Sequence, residues 1–244
     1  MSRYYDALTD DIDYVGIVSF YRSVFDECPA DVRRVADIGC GTGSVSLPLA
    51  AAGYDVTGYD ISPDMLSAAF ARAQASGIRL RLAEHDISEP FGKVVYDAVV
   101  CSLDGVNYLT KNGQMRSCFD AVSRSLRDGG IFIFDVSTPY KFKNILADGT
   151  FTYELDGMYL IWQNEYNEST HKCELMLTFF EKCGELWRRS EEWQTQRSYS
   201  DREIRSALKA AGLDVAAVYA DEKRSPVTPE SDRWYYVCRK VKNG

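Results

Sequence analysis

The sequence predicts an α/β protein with a doubly wound sheet, on three observations. A β-branched run ends in a glycine-rich turn, Val35-Ala-Asp-Ile-Gly-Cys-Gly-Thr-Gly43. Short apolar stretches then alternate with helical periods along most of the 244 residues. One continuous apolar run, Ile131–Phe134, has the pattern of a strand covered on both faces. Strands alternating with helices imply right-handed crossovers, and ligands of such sheets bind at the carboxyl ends of the strands.

The elements follow in order. Tyr14 to Phe25 is amphipathic, with Val15, Val18, Tyr21, Val24 and Phe25 near helical spacing. Val35–Ile38 is the first strand, and Ser44 to Ala52 a helix whose N-terminus faces the glycine turn. Asp55–Tyr59 is the second strand, and Ser62 with Pro63 opens a helix to Ala75. Arg79–Ala83 and Tyr96–Ser102 are the third and fourth strands. Gln114 to Leu126 is a helix closed by Asp128-Gly129-Gly130, before the central strand. Ser200-Asp-Arg-Glu203 is a capping box for a helix ending at Gly212, and Val215–Tyr219 and Trp234–Arg239 are the last strands. The stretch 150–196 breaks this rhythm. Tyr159–Tyr166, Lys172–Phe180 and Glu185–Arg197 read as an antiparallel β meander inserted above the pocket, either a lid or substrate subdomain or a dimerisation surface. The remaining residues, 1–149 and 197–244, form the ligand-binding domain.

The glycine spacing separates two ligand classes. A dinucleotide fingerprint runs G-x-G-x-x-G/A, whereas here it is G-x-G-x-G, with Asp37 two residues before the first glycine. An acid beside the turn repels a pyrophosphate but suits a ligand bearing an ammonium and a sulfonium. Asp60, at the end of the second strand, is spaced to grip a ribose diol.

Residues 35–43, Asp60, Ala83-Glu-His-Asp86-Ile87 and Leu126-Arg-Asp-Gly-Gly-Ile-Phe-Ile-Phe-Asp135 together resemble the successive motifs of class I S-adenosylmethionine-dependent methyltransferases. The resemblance implies a Rossmann-like seven-stranded sheet and S-adenosyl-L-methionine as cofactor. It places Gly39, Gly41 and Gly43 at the methionine part, Asp60 on the ribose, Ile61 against the adenine, Asp86 on the adenine amino group and Ile87 beside the ring. Tyr5, ahead of the first helix, sits where members of this superfamily often cover the cofactor, and Asp37 and Ser102 complete the expected cofactor set.

Methyl transfer from a sulfonium is an in-line displacement, so orientation outweighs electrostatics and no single residue type marks the catalyst. Asp104 and Asn107 after the fourth strand are placed to orient an amine or hydroxyl, and Tyr108 to close over the sulfonium. Each of these also fits a turn, a cap or the core. His85 is expected to point off the far face of its strand, His171 to sit in a hairpin turn, and Cys40 and Cys101 to be small buried residues. Trp162, Trp187 and Trp193 in the insertion fit packing or a substrate cavity.

Composition narrows the rest. A net charge of −8 argues against a nucleic-acid substrate. There is no 18-residue apolar run for a membrane span, and the N-terminus lacks a signal-peptide core. Seven scattered cysteines and two histidines carry no metal spacing and fit a cytoplasmic protein with reduced thiols. Motifs of adenine-, glutamine- and cytosine-modifying methyltransferases are absent. The expectation is a methyltransferase acting on a small-molecule N or O nucleophile, as monomer or homodimer. Two other classes remain open at this stage: a non-catalytic S-adenosylmethionine-binding partner subunit, and a nucleotide-cofactor oxidoreductase, which the glycine spacing disfavours.

Overall fold

The computed structural model describes residues 12–90 and 95–241. Tyr5, assigned above to the cofactor, lies outside them. A seven-stranded sheet forms the body. Its strands are β1 (Arg34–Ile38), β2 (Asp55–Asp60), β3 (Arg81–Glu84), β4 (Tyr96–Cys101), β5 (Leu126–Ser137), β10 (Leu213–Tyr219) and β11 (Arg233–Lys240). They lie in the order β10-β11-β5-β4-β1-β2-β3. The helices are α1 (Tyr14–Asp26), α2 (Ser46–Ala51), α3 (Pro63–Ala75), α4 (Gln114–Ser125) and α5 (Asp201–Ala210).

The apolar runs explain the layers. Along β4, β5 and β11 consecutive residues go to opposite faces. Ala98, Val100, Ile131, Ile133, Tyr235 and Val237 pack with Ile17, Phe20, Tyr21 and Val24 of α1. Val99, Cys101, Phe132, Phe134, Tyr236 and Cys238 pack with Phe119 and Val122 of α4 and Ile204 and Leu208 of α5. Burial on both faces is why these strands read as unbroken apolar sequence. Phe134 stacks on Tyr236 at 4.9 Å with ring planes 5° apart, joining β5 to β11.

The seven-stranded α/β sheet is the expected one; β11 enters between β5 and β10 antiparallel to both, so the sheet is mixed. The connection 220–232 contains no helix, and without a crossover a strand returns antiparallel beside its predecessor. Asp128-Gly129-Gly130 does not close α4. The helix ends at Ser125, and the glycines form an irregularity inside β5, where the pairing with β4 shifts between Tyr96 and Ala98.

The insertion is a second, antiparallel sheet of four strands in the order β6-β7-β8-β9: β6 (Thr150–Leu155), β7 (Met158–Asn167), β8 (Lys172–Cys183) and β9 (Leu186–Arg197). β6 escapes the sequence reading although Phe151, Tyr153 and Leu155 alternate, because its other face is fully polar and exposed. A π-helical turn, Lys141–Leu146, also unforeseen, leads into it and seats Phe142 and Leu146 against Cys173 and Leu175. Cross-strand register puts Leu160, Leu177, Phe179 and Met158 on one buried face. Trp187 and Trp193 are on the other, exposed face, and Trp162 packs with Phe151.

Candidate active site

The carboxyl ends of β1 to β4 converge on a cavity of about 520 Å³. Its glycine-rich wall is built by backbone geometry: Gly39, Gly41 and Gly43 take φ of 71°, 53° and 80°, which side-chain-bearing residues rarely adopt. The turn is tied down from three directions. The amides of Gly39 and Cys40 donate to the Tyr59 carbonyl at 2.7 and 2.9 Å. The Gly41 amide donates to Asp60 Oδ2 at 2.8 Å. Arg72 of α3 donates through Nη1 to the Thr42 carbonyl, Thr42 Oγ1 and Ser44 Oγ at 3.0–3.2 Å.

Asp60 therefore has a structural duty as well as a place in the cavity wall. Its second oxygen accepts the Ser62 amide at 2.8 Å, fixing the entry to α3. Each carboxylate oxygen retains a second lone pair for a ligand hydroxyl. Ile61 beside it is 65% exposed, an apolar side chain offered to the cavity. Asp86 and Ile87 line the same space, with Asp86 Oδ1 held by the amide and hydroxyl of Ser88 at 2.8 and 2.7 Å. Ser102 also lines it, its hydroxyl bonded to that of the buried Tyr21 at 2.8 Å.

Other expected residues sit differently. Asp37 is buried beneath the turn in a small adjoining recess, with Ser46 Oγ donating to it at 2.5 Å. Gly43 lines neither space and instead lies where α2 and α3 approach, a Cβ there meeting Ala69 and Leu47 at 3.4–3.6 Å. Asp104 and Asn107 do not line the cavity. Asn107 donates to the carbonyls of Ser137 and Arg197 and accepts the Ser137 amide, tying the segment after β4 to the ends of β5 and β9. Asp104 is paired with Arg233 at 2.7 Å, and Arg233 also contacts Asp135. The two oxygens of Asp135 accept the amides of Leu103 and Asp104 at 2.7 and 3.1 Å. This network holds two consecutive left-handed residues, Leu103 at φ 56° and Asp104 at φ 65°, in the cavity rim.

Tyr108 does line the cavity, and its hydroxyl donates to Gln194 Oε1 at 2.9 Å. Gln194 and Glu192 of β9 also face it and were missed by the sequence reading. Their signal was the period of two in Glu192-x-Gln194-x-Gln196, which places all three on the face opposite Trp193. Arg72 was missed too, as a lone basic residue on an amphipathic helix. His85 lines the cavity rather than pointing away, because β3 ends at Glu84 and strand alternation stops there. His171 is in the β7–β8 turn at φ 56°. Burial pushes the thiols of Cys40 and Cys101 up, which removes them as nucleophiles. No group of three or more potential metal ligands is present among the described residues.

Burial first, and the neighbouring Asp60 charge, push the Asp37 carboxyl up to about 7 against the opposing Ser46 hydrogen bond. A folded-state value above the unfolded one favours the protonated fold. Its stabilisation is complete below pH 4 and is lost as pH rises through about 7. Asp37→Asn is expected to flatten that part of the profile. Thermal midpoints between pH 5 and 8 should fall less in the variant than in the wild type, and parallel profiles would refute the assignment.

Comparison with known proteins bears on the family and the fold. A family profile described as a methyltransferase domain matches residues 35–130. YqeM of Bacillus subtilis (strain 168), named as a methyltransferase, is 31% identical over 242 residues, covering 94% of this chain and 98% of its own. An S-adenosylmethionine-dependent methyltransferase structure from Clostridium acetobutylicum ATCC 824 superimposes with a TM-score of 0.90 at 27% identity, covering 98% of this chain and 96% of that one. The sugar N-methyltransferase KedS8 from Streptoalloteichus sp ATCC 53650 shares the fold at a TM-score of 0.78 and 20% identity, covering 98% and 93%.

Proposed function

The chain belongs to the class I S-adenosylmethionine-dependent methyltransferases, and on that premise we propose that it methylates a nitrogen or oxygen of a small-molecule acceptor. Bound S-adenosylmethionine supplies a methyl group activated by its sulfonium. The chain's own residues hold and orient. Gly39 and Gly41 let the backbone approach the methionine part, with Asp37 behind them. Asp60 accepts from the ribose hydroxyls, Ile61 and Ile87 flank the adenine, Asp86 accepts from its amino group, and Ser102 closes the inner end.

The observation carrying this reading is that Asp60, bonded to the Gly41 amide at 2.8 Å, joins Ile61, Asp86 and Ile87 around one cavity. β9 brings Glu192 and Gln194 to the same cavity, which supports an acceptor site roofed by the second sheet. A cavity of about 520 Å³ shared with a cofactor favours a small acceptor over a polymer. The likeness to a sugar N-methyltransferase agrees with a small polar acceptor.

The test is a thermal melt with S-adenosylhomocysteine, NADH serving as control. At about 100 times its dissociation constant a ligand stabilises the fold by roughly 2.7 kcal/mol. At roughly 2–4 °C per kcal/mol for a chain of this size, a rise of about 5–10 °C is expected with S-adenosylhomocysteine and none with NADH. The reverse pattern would overturn the cofactor assignment.

A further inference from the structure

Glu192 and Gln194 stand out on the inner face of β9. Cross-strand register pairs them with Leu177 and Leu175 on a face that is otherwise buried and apolar along β8. Trp193 between them points outward and is 65% exposed. A polar pair facing inward from such a sheet needs partners, and a directional chain supplies them. The Tyr108 hydroxyl donates to Gln194 Oε1 at 2.9 Å, and Gln194 Nε2 donates to Glu192 Oε1 at 2.8 Å. Both donors point toward Glu192, which orients its carboxylate.

The charge of the cavity is one-sided. Its described lining contains Asp60, Asp64, Asp86 and Glu192, and no lysine or arginine. Asp60 ends β2, Asp64 lies in the first turn of α3, and Asp86 follows β3. Glu192 alone comes from the second sheet. Asp60 and Asp86 are assigned above to the cofactor, which leaves Glu192 as the carboxylate that the second sheet turns to the acceptor side, where an ammonium would meet an oriented opposite charge.

We propose that the acceptor presents an amine to this cavity and that Glu192 is the residue that recognises it, a refinement that rests on the methyltransferase reading above. The amine enters as an ammonium and gives one proton to Glu192, which passes it to solvent. The freed nitrogen lone pair forms the bond to the methyl carbon while the carbon–sulfur bond breaks, its electron pair staying on sulfur. The products are a methylated ammonium and a neutral thioether. Gln194 and Tyr108 are positioning residues that act through Glu192.

The experiment uses the full chain, methyl-labelled S-adenosylmethionine and paired probes: glucosamine against glucose, and tyramine against 4-ethylphenol. Label is expected on the amine members at no less than tenfold over their partners. Glu192→Gln should raise KM for the amine at least tenfold, with Glu192→Asp recovering part of the loss. The melting shift with S-adenosylhomocysteine should stay unchanged in both variants. Equal label on amine and hydroxyl members, no label on either amine, or an unchanged KM in Glu192→Gln would overturn the proposal. Failure of S-adenosylhomocysteine to shift the wild-type melt would instead overturn the methyltransferase reading itself.

Discussion

Replacing Asp60 by alanine is expected to lower affinity for S-adenosylhomocysteine by at least a hundredfold, and to lower the melting temperature of the free protein as well. From sequence the first effect alone would be expected, since the carboxylate is spaced to grip a ribose. The structure adds the second. Asp60 accepts the Gly41 amide through one oxygen and the Ser62 amide through the other, both at 2.8 Å. Hydrogen bonds to a charged group contribute about 1.5–3 kcal/mol each, and the alanine removes both and leaves two partly buried donors without their carboxylate. The glycine turn and the start of α3 then lose a shared anchor. A hundredfold weakening corresponds to about 2.7 kcal/mol, within what the lost ligand contacts and turn order supply together. Calorimetric titration reads the affinity, and a melt of the unliganded variant reads the structural part. Wild-type affinity in the variant would remove Asp60 from the cofactor site.

Arg233→Leu is expected to be the most destabilising single change in the cavity rim. The guanidinium bridges Asp104 and Asp135, with Ser137 Oγ donating to Asp104 at 2.9 Å. Against the desolvation that burial imposes, Arg233 first, then Lys141 and Ser137, hold the Asp104 carboxyl below the usual carboxylate range. Burial, reinforced by Asp104, pushes Asp135 up despite the same guanidinium. Removing the cation leaves two carboxylates facing each other out of water, which costs about 3–5 kcal/mol. At roughly 2–4 °C per kcal/mol the midpoint should fall by about 10 °C. The sign with pH is specific. A depressed Asp104 stabilises the wild type above the unfolded carboxylate range and loses that contribution as pH falls. In the variant the carboxyls take up protons instead, so the gap between the two proteins should narrow toward pH 4. A gap independent of pH would show that the pair is not what the arginine compensates. Because Asp135 accepts the amides of Leu103 and Asp104, the variant should also bind S-adenosylhomocysteine more weakly.

These expectations divide along what the sequence makes visible. The glycine turn and Asp60 were legible because each is a local demand: a positive φ needs glycine, and a fixed spacing after a strand places one carboxylate at one sheet edge. Asp104 and Asn107 drew attention by position alone, and the structure puts both outside the cavity wall, Asp104 against Arg233 of β11 and Asn107 against β5 and β9. Their partners are 129 and 30 to 90 residues away, so no local pattern could identify them. Glu192 and Gln194 were hidden for a related reason. Their alternation was readable, but which face of β9 turns inward depends on its register with β8.

By itself the sequence determined the α/β alternation, the helix starts at Ser62 and Ser200, the glycine turn and the cofactor class, all of which follow from periods and spacings inside a few tens of residues. Only the tertiary structure decided the antiparallel placement of β11, the fourth strand β6 of the second sheet and the residues that sheet lends to the cavity. Those depend on pairing between distant strands, where the free energy lies in register, shared burial and charge compensation rather than in the preference of any one segment.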